Sequence, residues 1–250
     1  MSAAWPDESD LVPYRAAERL PGGHLLVLAP HPDDEVLGCG GLIAATLQQG
    51  VPVTVVVASD GAGAGDPALR EAESRAAAAV LAAGALGPAL QFWGLEDRRL
   101  AEAPGLSARL QHLLATSGAE TLVMPSPFEV HPDHRALCLA TLHALHSTPR
   151  AIGAWFYEVG QALMPDLLVD LTPQLQRKRE ALRCFASQLA VQPYDEQLLA
   201  LNRFRAYTLG PDVSHAEAFQ RVPDRLPAGA MPDVIADLVR RLSMRFEGVG

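Results

Sequence analysis

The chain is poor in cysteine, in lysine and in long apolar runs, and each shortage closes off a class of protein. Its three cysteines, Cys39, Cys138 and Cys184, stand far apart in 250 residues, without the paired spacing of a disulfide framework or a cysteine zinc site. A single lysine, Lys178, and a net charge of −9 leave no basic tract to track a nucleic-acid backbone. The longest apolar stretches, residues 25–30 and 51–58, fall far short of the ~20 residues of a membrane span. The opening MSAAWPDESD carries acids where a signal peptide carries bases, and no apolar stretch follows it. The expectation is a cytoplasmic protein with no membrane span and no nucleic-acid partner.

What is present is an alternation. Short apolar runs at 24–30, 51–59, 89–93, 120–125 and 152–157, the second of them rich in β-branched residues, are separated by segments of helical periodicity. The helical segments are 35–49, closed by Gly50, then 67–83, 106–115 and 134–146. Strands alternating with helices of this length predict βαβ units and a mostly parallel α/β sheet with helices on both faces. Beyond Pro165 the rhythm changes. A last strand is expected at 167–171, one helix over 173–189 with proline at its start, another over 194–208, and a strand or turn at 213–219. An amphipathic helix is expected over 231–246. The domain reading is an N-terminal arm over 1–23, a catalytic domain over 24–220 with a helical C-terminal cap, and an extension over 221–250. Apolar positions on the late helices suit a core cap and a contact between copies of the chain equally well, so the oligomeric state stays open.

Open parallel sheets take their ligands at the carboxyl ends of the strands. The first strand of the alternation runs into Pro30-His31-Pro32-Asp33-Asp34-Glu35, and the fourth into a loop carrying His131-Pro132-Asp133-His134. A single His-Pro-Asp segment before a helix also suits an N-cap. Two of them at one edge of one sheet, each followed by a further ligand type, favour a metal site. Two imidazoles and a carboxylate suit Zn²⁺ with a position left for water. His31, Asp34 and one of His131 and His134 would serve as ligands. Asp33 and the other histidine would remain for proton chemistry beside an acidified water, the outfit of an amide or ester hydrolase. Iron(II) suits the same donors. His24, His112, His143 and His146 lack such partners, and Cys39 among glycines reads as close packing. Neither Gly38-Cys39-Gly40-Gly41 nor 61–65 completes a dinucleotide fingerprint, since Ile43 and Asp66 occupy the last glycine position. The second stretch reads as a mobile loop beside the site.

These residues resemble a known family. Ala29-Pro30-His31-Pro32-Asp33-Asp34-Glu35 with Gly38-Cys39-Gly40-Gly41 is similar to the AHPDDE…GxGG signature of the LmbE-like (PIG-L) de-N-acetylases. His131-Pro132-Asp133-His134-Arg135-Ala136 resembles that family's HPDHRA motif. Ser59-Asp60-Gly61, Arg70 with Glu73, Asp97, Val169-Asp170, Lys178 and Ser187-Gln188 resemble later family positions in order. The resemblance implies a zinc-dependent hydrolase on a Rossmann-like fold. It would remove the acetyl group of an N-acetylglucosamine-type sugar or glycoconjugate, releasing acetate and a free amine. It implies His31, Asp34 and His134 as zinc ligands, Asp33 as general base, and His131 as oxyanion stabiliser or acid. Arg70 and Asp97 would contact substrate. Two positions depart from the family: Pro30 precedes His31 where the family has alanine, and Arg98 follows Asp97 where the family has glycine.

Overall fold

The computed structural model describes residues 16–223. Eight strands form one sheet: β1 (Ala16–Ala17), β2 (Leu25–Ala29), β3 (Val53–Ser59), β4 (Ala89–Leu95), β5 (Thr121–Pro125), β6 (Gly153–Tyr157), β7 (Leu167–Asp170) and β8 (Ala216–Arg221). The helices between them are α1 (Asp34–Gln48), α2 (Pro67–Ala82), α3 (Leu106–Thr116), α4 (Pro132–His146), α5 (Leu175–Leu182), α6 (Ala186–Leu189) and α7 (Tyr194–Arg205). The strand order is β1-β7-β8-β6-β5-β2-β3-β4. All neighbours run parallel except β8, which is antiparallel to both β6 and β7. No helix among the described residues is long and apolar enough to cross a membrane.

The sheet is doubly wound. From β2 the chain walks outward through β3 to β4, then returns to lay β5 on the other side of β2. Every residue of β2 and β5 is buried, as expected where helices cover both faces. Alternate residues of β2 feed opposite cores. Val27 and Ala29 pack with α1, α2, α5 and α7, and Leu26 and Leu28 pack with α3 and α4. The reversal of strand order falls between β2 and β5, so the crevice beyond their carboxyl ends is the place where this architecture takes a ligand.

Helix α1 is buried from Asp34 to Leu47, and its glycines let its neighbours close in. A Cβ on Gly38 would stand 2.3 Å from the Tyr157 ring, and one on Gly41 would stand 2.2 Å from Leu171. The close-packing reading of this stretch is the one observed. The carboxylate of Glu217, on β8, enters the helix itself, accepting from the amides of Gly41 and Leu42, each at 2.7 Å. Those amides would ordinarily point at the carbonyls of residues 37 and 38. The Leu37 carbonyl accepts from Lys178 Nζ at 2.8 Å, and Lys178 in turn pairs with Glu217 at 2.7 Å. Both charges are fully buried and mutually satisfied.

The strand expected at 167–171 is β7 and the strand or turn expected at 213–219 holds β8, and two expectations need revision. The helix expected over 173–189 is a 3₁₀ turn at Thr172–Gln174 followed by α5 and α6. The amides of Cys184 and Phe185 reach back only three residues there, which tightens the chain so that Phe185 enters the core. The arm keeps a strand of its own, β1, paired with β7. The helix expected over 231–246 lies outside the described residues.

Candidate metal and catalytic site

Both His-Pro-Asp segments reach the crevice between β2 and β5. The rings of His31 and His134 lie 5.3 Å apart between centroids, and His131 stands 4.5 Å from His31 and 5.4 Å from His134. One oxygen of Asp34, Oδ2, is 3.1 Å from His31 Nδ1 and 3.1 Å from His134 Nε2. Donors around one tetrahedral zinc, with bonds of ~2.1 Å, stand about 3.4 Å apart, so this spacing is close to that of a shared ion. Three buried polar atoms lack hydrogen bonds here: Arg70 Nε, His134 Nδ1, which faces Glu129 Oε2 at 3.6 Å, and Asp97 Oδ1, 3.1 Å from His31 Nε2. The residues present fit a divalent cation. Two groups bring one donor atom from each residue within 4.8 Å of one another, the three imidazoles and the set His31, Asp97 and Asp133, and Asp34 belongs to neither.

The adjacent carboxylates Asp33 and Asp34 are pushed apart electrostatically. Burial raises both. For Asp34 the charge and hydrogen bonds of His134 and His31 outweigh burial and hold its carboxyl far below the ordinary range. For Asp33, burial and the neighbouring Asp34 charge win over Arg70, and its pKa rises to about 8. Burial lowers His134, but the Asp34 charge and the nearby carboxylates of Asp34 and Glu129 bring it to about 9. His31 is likewise lifted by the carboxylates of Asp133, Asp34 and Asp97 despite its burial. Without an ion, protons on the two histidines balance the carboxylates.

Asp33 begins α1 at φ 129°, a region that L residues rarely adopt and that costs on the order of 1–3 kcal/mol. Its side chain does not cap the helix. The backbone is held by Glu35, which accepts the Asp33 amide at 2.9 Å, while Ser74 anchors Glu35 at 2.8 Å. The carboxylate turns to Arg70, whose Nη2 donates to Asp33 Oδ2 at 3.1 Å and to the Pro32 carbonyl at 2.7 Å. Arg70 Nη1 donates to the Gly61 carbonyl. Arg70 is 3% exposed, so its guanidinium lies beneath the site and grips Asp33.

His131 caps α4. Its Nδ1 accepts from the Asp133 amide at 3.2 Å, which leaves Nε2 to carry the proton of a neutral ring. Burial and the neighbouring His31 and His134 lower its pKa. A neutral Nε2–H donor suits this environment better than an imidazolium.

Residues 26–145 match the family profile described as PIG-L: GlcNAc-PI de-N-acetylase. A probable N-acetyl-alpha-D-glucosaminyl L-malate deacetylase 2 of Bacillus anthracis is 31% identical over 189 residues, covering 67% of this chain and 82% of that protein. The chain belongs to the PIG-L, or LmbE-like, family. A conserved protein of Thermus thermophilus superposes with a TM-score of 0.71 at 28% identity, covering 82% of this chain and 96% of that one. The N,N'-diacetylchitobiose deacetylase of Pyrococcus horikoshii has the same fold, with a TM-score of 0.71 at 23% identity over 80% of this chain and 84% of that one.

In this PIG-L chain three site residues escaped sequence reasoning. Asp133 joins the two halves of the crevice. It lies 3.3 Å from His31 Nε2 and accepts from the Arg98 and Leu100 amides at 2.6 and 3.1 Å. Glu129, buried beside His134, accepts from the amides of Val159 and Gly160 at 2.9 Å each. Arg135 ties the same loop by donating to the carbonyls of Glu129 and Val130. Asp133 and Arg135 stand inside the second histidine motif, which gives them no role of their own, and the only sequence signal for Glu129 is its proximity to the histidines. The loop at 61–65 is not free, as expected, but pinned. Arg70, Asp97, Arg98 and Gln188 all hydrogen-bond its backbone.

Proposed function

We propose that this chain is a zinc-dependent de-N-acetylase of an N-acetylglucosamine-type sugar or glycoconjugate. The convergence of His31 and His134 on one oxygen of Asp34, with Asp33 held beside them by Arg70, carries the reading. A neighbouring pair of carboxyls, one fixed as an anion among imidazoles and one poised near neutral pH, divides ligand and base roles between them. The names of the Bacillus anthracis and Pyrococcus horikoshii proteins support an N-acetylated amino sugar as substrate.

His31, Asp34 and His134 would hold the ion. When bound, it would supply Lewis acidity toward an amide carbonyl and lower the pKa of a water. Asp33 takes the proton of the attacking water, held in orientation by Arg70, which makes Arg70 a positioning residue rather than a substrate contact. His131 donates from Nε2 to the oxygen that becomes negative as the amide carbon turns tetrahedral. Asp33 then returns its proton to the departing nitrogen. Water and amide thus become acetate and free amine. Asp97, beside His31 and Gly63, would accept from a sugar hydroxyl.

The test is acetate release from N-acetylglucosamine glycosides by protein of measured metal content. Turnover should vanish with a chelator, return with Zn²⁺ or Fe²⁺, and be lost in Asp33→Asn with metal retained. Sugar binding without acetate release by metal-saturated protein would overturn the reading.

A further inference from the structure

The proposed base sits on a backbone that is tied at both ends. The Asp33 carbonyl accepts from the amides of Val36 and Leu37, each at 2.9 Å, as the carbonyl ahead of a helix does. Its amide donates to Glu35 Oε2 at 2.9 Å, and Ser74 Oγ donates to the other oxygen, Glu35 Oε1, at 2.8 Å. A torsion as unusual as φ 129° persists only where the surroundings over-determine it. Here the two peptide groups that flank residue 33 are each fixed by such bonds, and together they set the direction of its Cβ.

An aspartate at the start of a helix ordinarily takes extended backbone, and its side chain accepts an amide of the first turn. Asp33 makes no such bond. Its carboxylate meets Arg70 Nη2 at 3.1 Å instead. Arg70 and Ser74 stand four residues apart on α2, on one face of that helix. The first holds the Asp33 side chain, and the second holds the Asp33 amide through Glu35.

Glu35 has little other reason to carry a charge. It is buried, as is Ser74, and it forms no ion pair among the described residues. A buried carboxylate without a cation costs stability, and an apolar side chain would fill the same space without that penalty. The neighbouring metal ligand is held separately, since Asp34 Oδ2 accepts from the His31 amide at 3.0 Å and faces both imidazoles. Loss of Glu35 therefore falls on residue 33 rather than on the ligands.

We infer that Glu35 and Ser74 are positioning residues for the proposed base. They keep the Asp33 carboxylate from relaxing into a helix cap and so hold it free for proton transfer. The kinetic consequence rests on the de-N-acetylase reading above, whereas the conformation of residue 33 is observable without turnover.

The variants are Glu35→Ala, Glu35→Gln, Ser74→Ala and Ser74→Thr, loaded with metal, checked by elemental analysis and assayed on an N-acetylglucosamine glycoside. Glu35→Ala should lower kcat about a hundredfold, the scale of a base misplaced by an ångström, with KM and metal content close to the parent's. Ser74→Ala should lower kcat about tenfold, the lower end for losing a hydrogen bond to a charged group. Glu35→Gln keeps an acceptor for the Asp33 amide and a donor toward the Ser74 hydroxyl, and Ser74→Thr keeps the hydroxyl, so both should retain most of kcat. In an Asp33→Asn background, Glu35→Ala should change the residual rate little, because the group it positions is already disabled. An undiminished loss in that background, loss of metal in step with kcat, or an unchanged kcat in Ser74→Ala would overturn the inference. A crystal structure of Glu35→Ala reads the cause directly: residue 33 should return to negative φ, with its carboxylate off Arg70 and on an amide of α1. Asp33 still at positive φ and on Arg70 would also overturn it. Absence of acetate from the metal-loaded parent, with that movement of Asp33 observed, would instead count against the de-N-acetylase reading and support the positioning role.

Discussion

Asp34 Oδ2 stands 3.1 Å from His134 Nε2, joining the loop after β2 to the loop after β5 through one oxygen. In the metal-free protein a proton on His134 balances that contact, and its pKa of about 9 reflects it. A divalent ion must displace that proton. Titration calorimetry at pH 7 in buffers of differing ionisation enthalpy should register release of on the order of one proton per ion bound. Asp34→Ala and His134→Ala should lose the metal, as read by elemental analysis.

The same protonation has a stability consequence in the metal-free state. The folded pKa of His134 lies above its ordinary value, so its contribution is complete below about pH 6.5 and disappears as pH rises through about 9. Asp33, raised to about 8, tilts stability in the same direction. Urea titrations of metal-free protein should show falling stability from pH 6.5 to 9, and Asp33→Asn should flatten part of the slope.

Asp33→Asn should bind metal normally and lower kcat by roughly 10²–10⁴-fold, the range for a lost general base. The rate should climb with pH as Asp33 ionises, and the variant should lack that limb. Steady-state kinetics across pH checks both.

Arg70→Met should act chiefly on kcat, because Arg70 touches Asp33 and backbone carbonyls. Its charge holds the Asp33 pKa down, so its loss should move the rising limb to higher pH. A large rise in KM with kcat preserved would assign Arg70 to substrate binding instead.

Lys178→Met leaves Glu217 buried and unpaired, which costs about 3–5 kcal/mol. Lys178→Met with Glu217→Gln should recover part of that loss in urea titrations. A single variant as stable as the parent would refute the role given to the pair.

The sequence made the two histidine loops legible because alternating apolar strands and helices fix which end of a parallel sheet each loop occupies. Their convergence then followed from the strand reversal between β2 and β5. Contacts between single charges distant in sequence left no such trace. Glu217 lies 176 residues from Gly41, and no periodicity links them. For Arg70 a motif match gives a position without a direction, and α2 turns its guanidinium toward Asp33. The two-residue β1 is too short to show alternation, and the break between α5 and α6 arises from Phe185 entering the core, which helical periodicity does not anticipate.

The family profile ends at residue 145, so a fragment cut there would retain every proposed metal ligand and the proposed base. It would lack residue 217, and with it the acceptor for two amides in the middle of α1. The excised piece would hold the chemistry without the keystone for the helix that begins at Asp34, so minimal versions of this enzyme must run past β8.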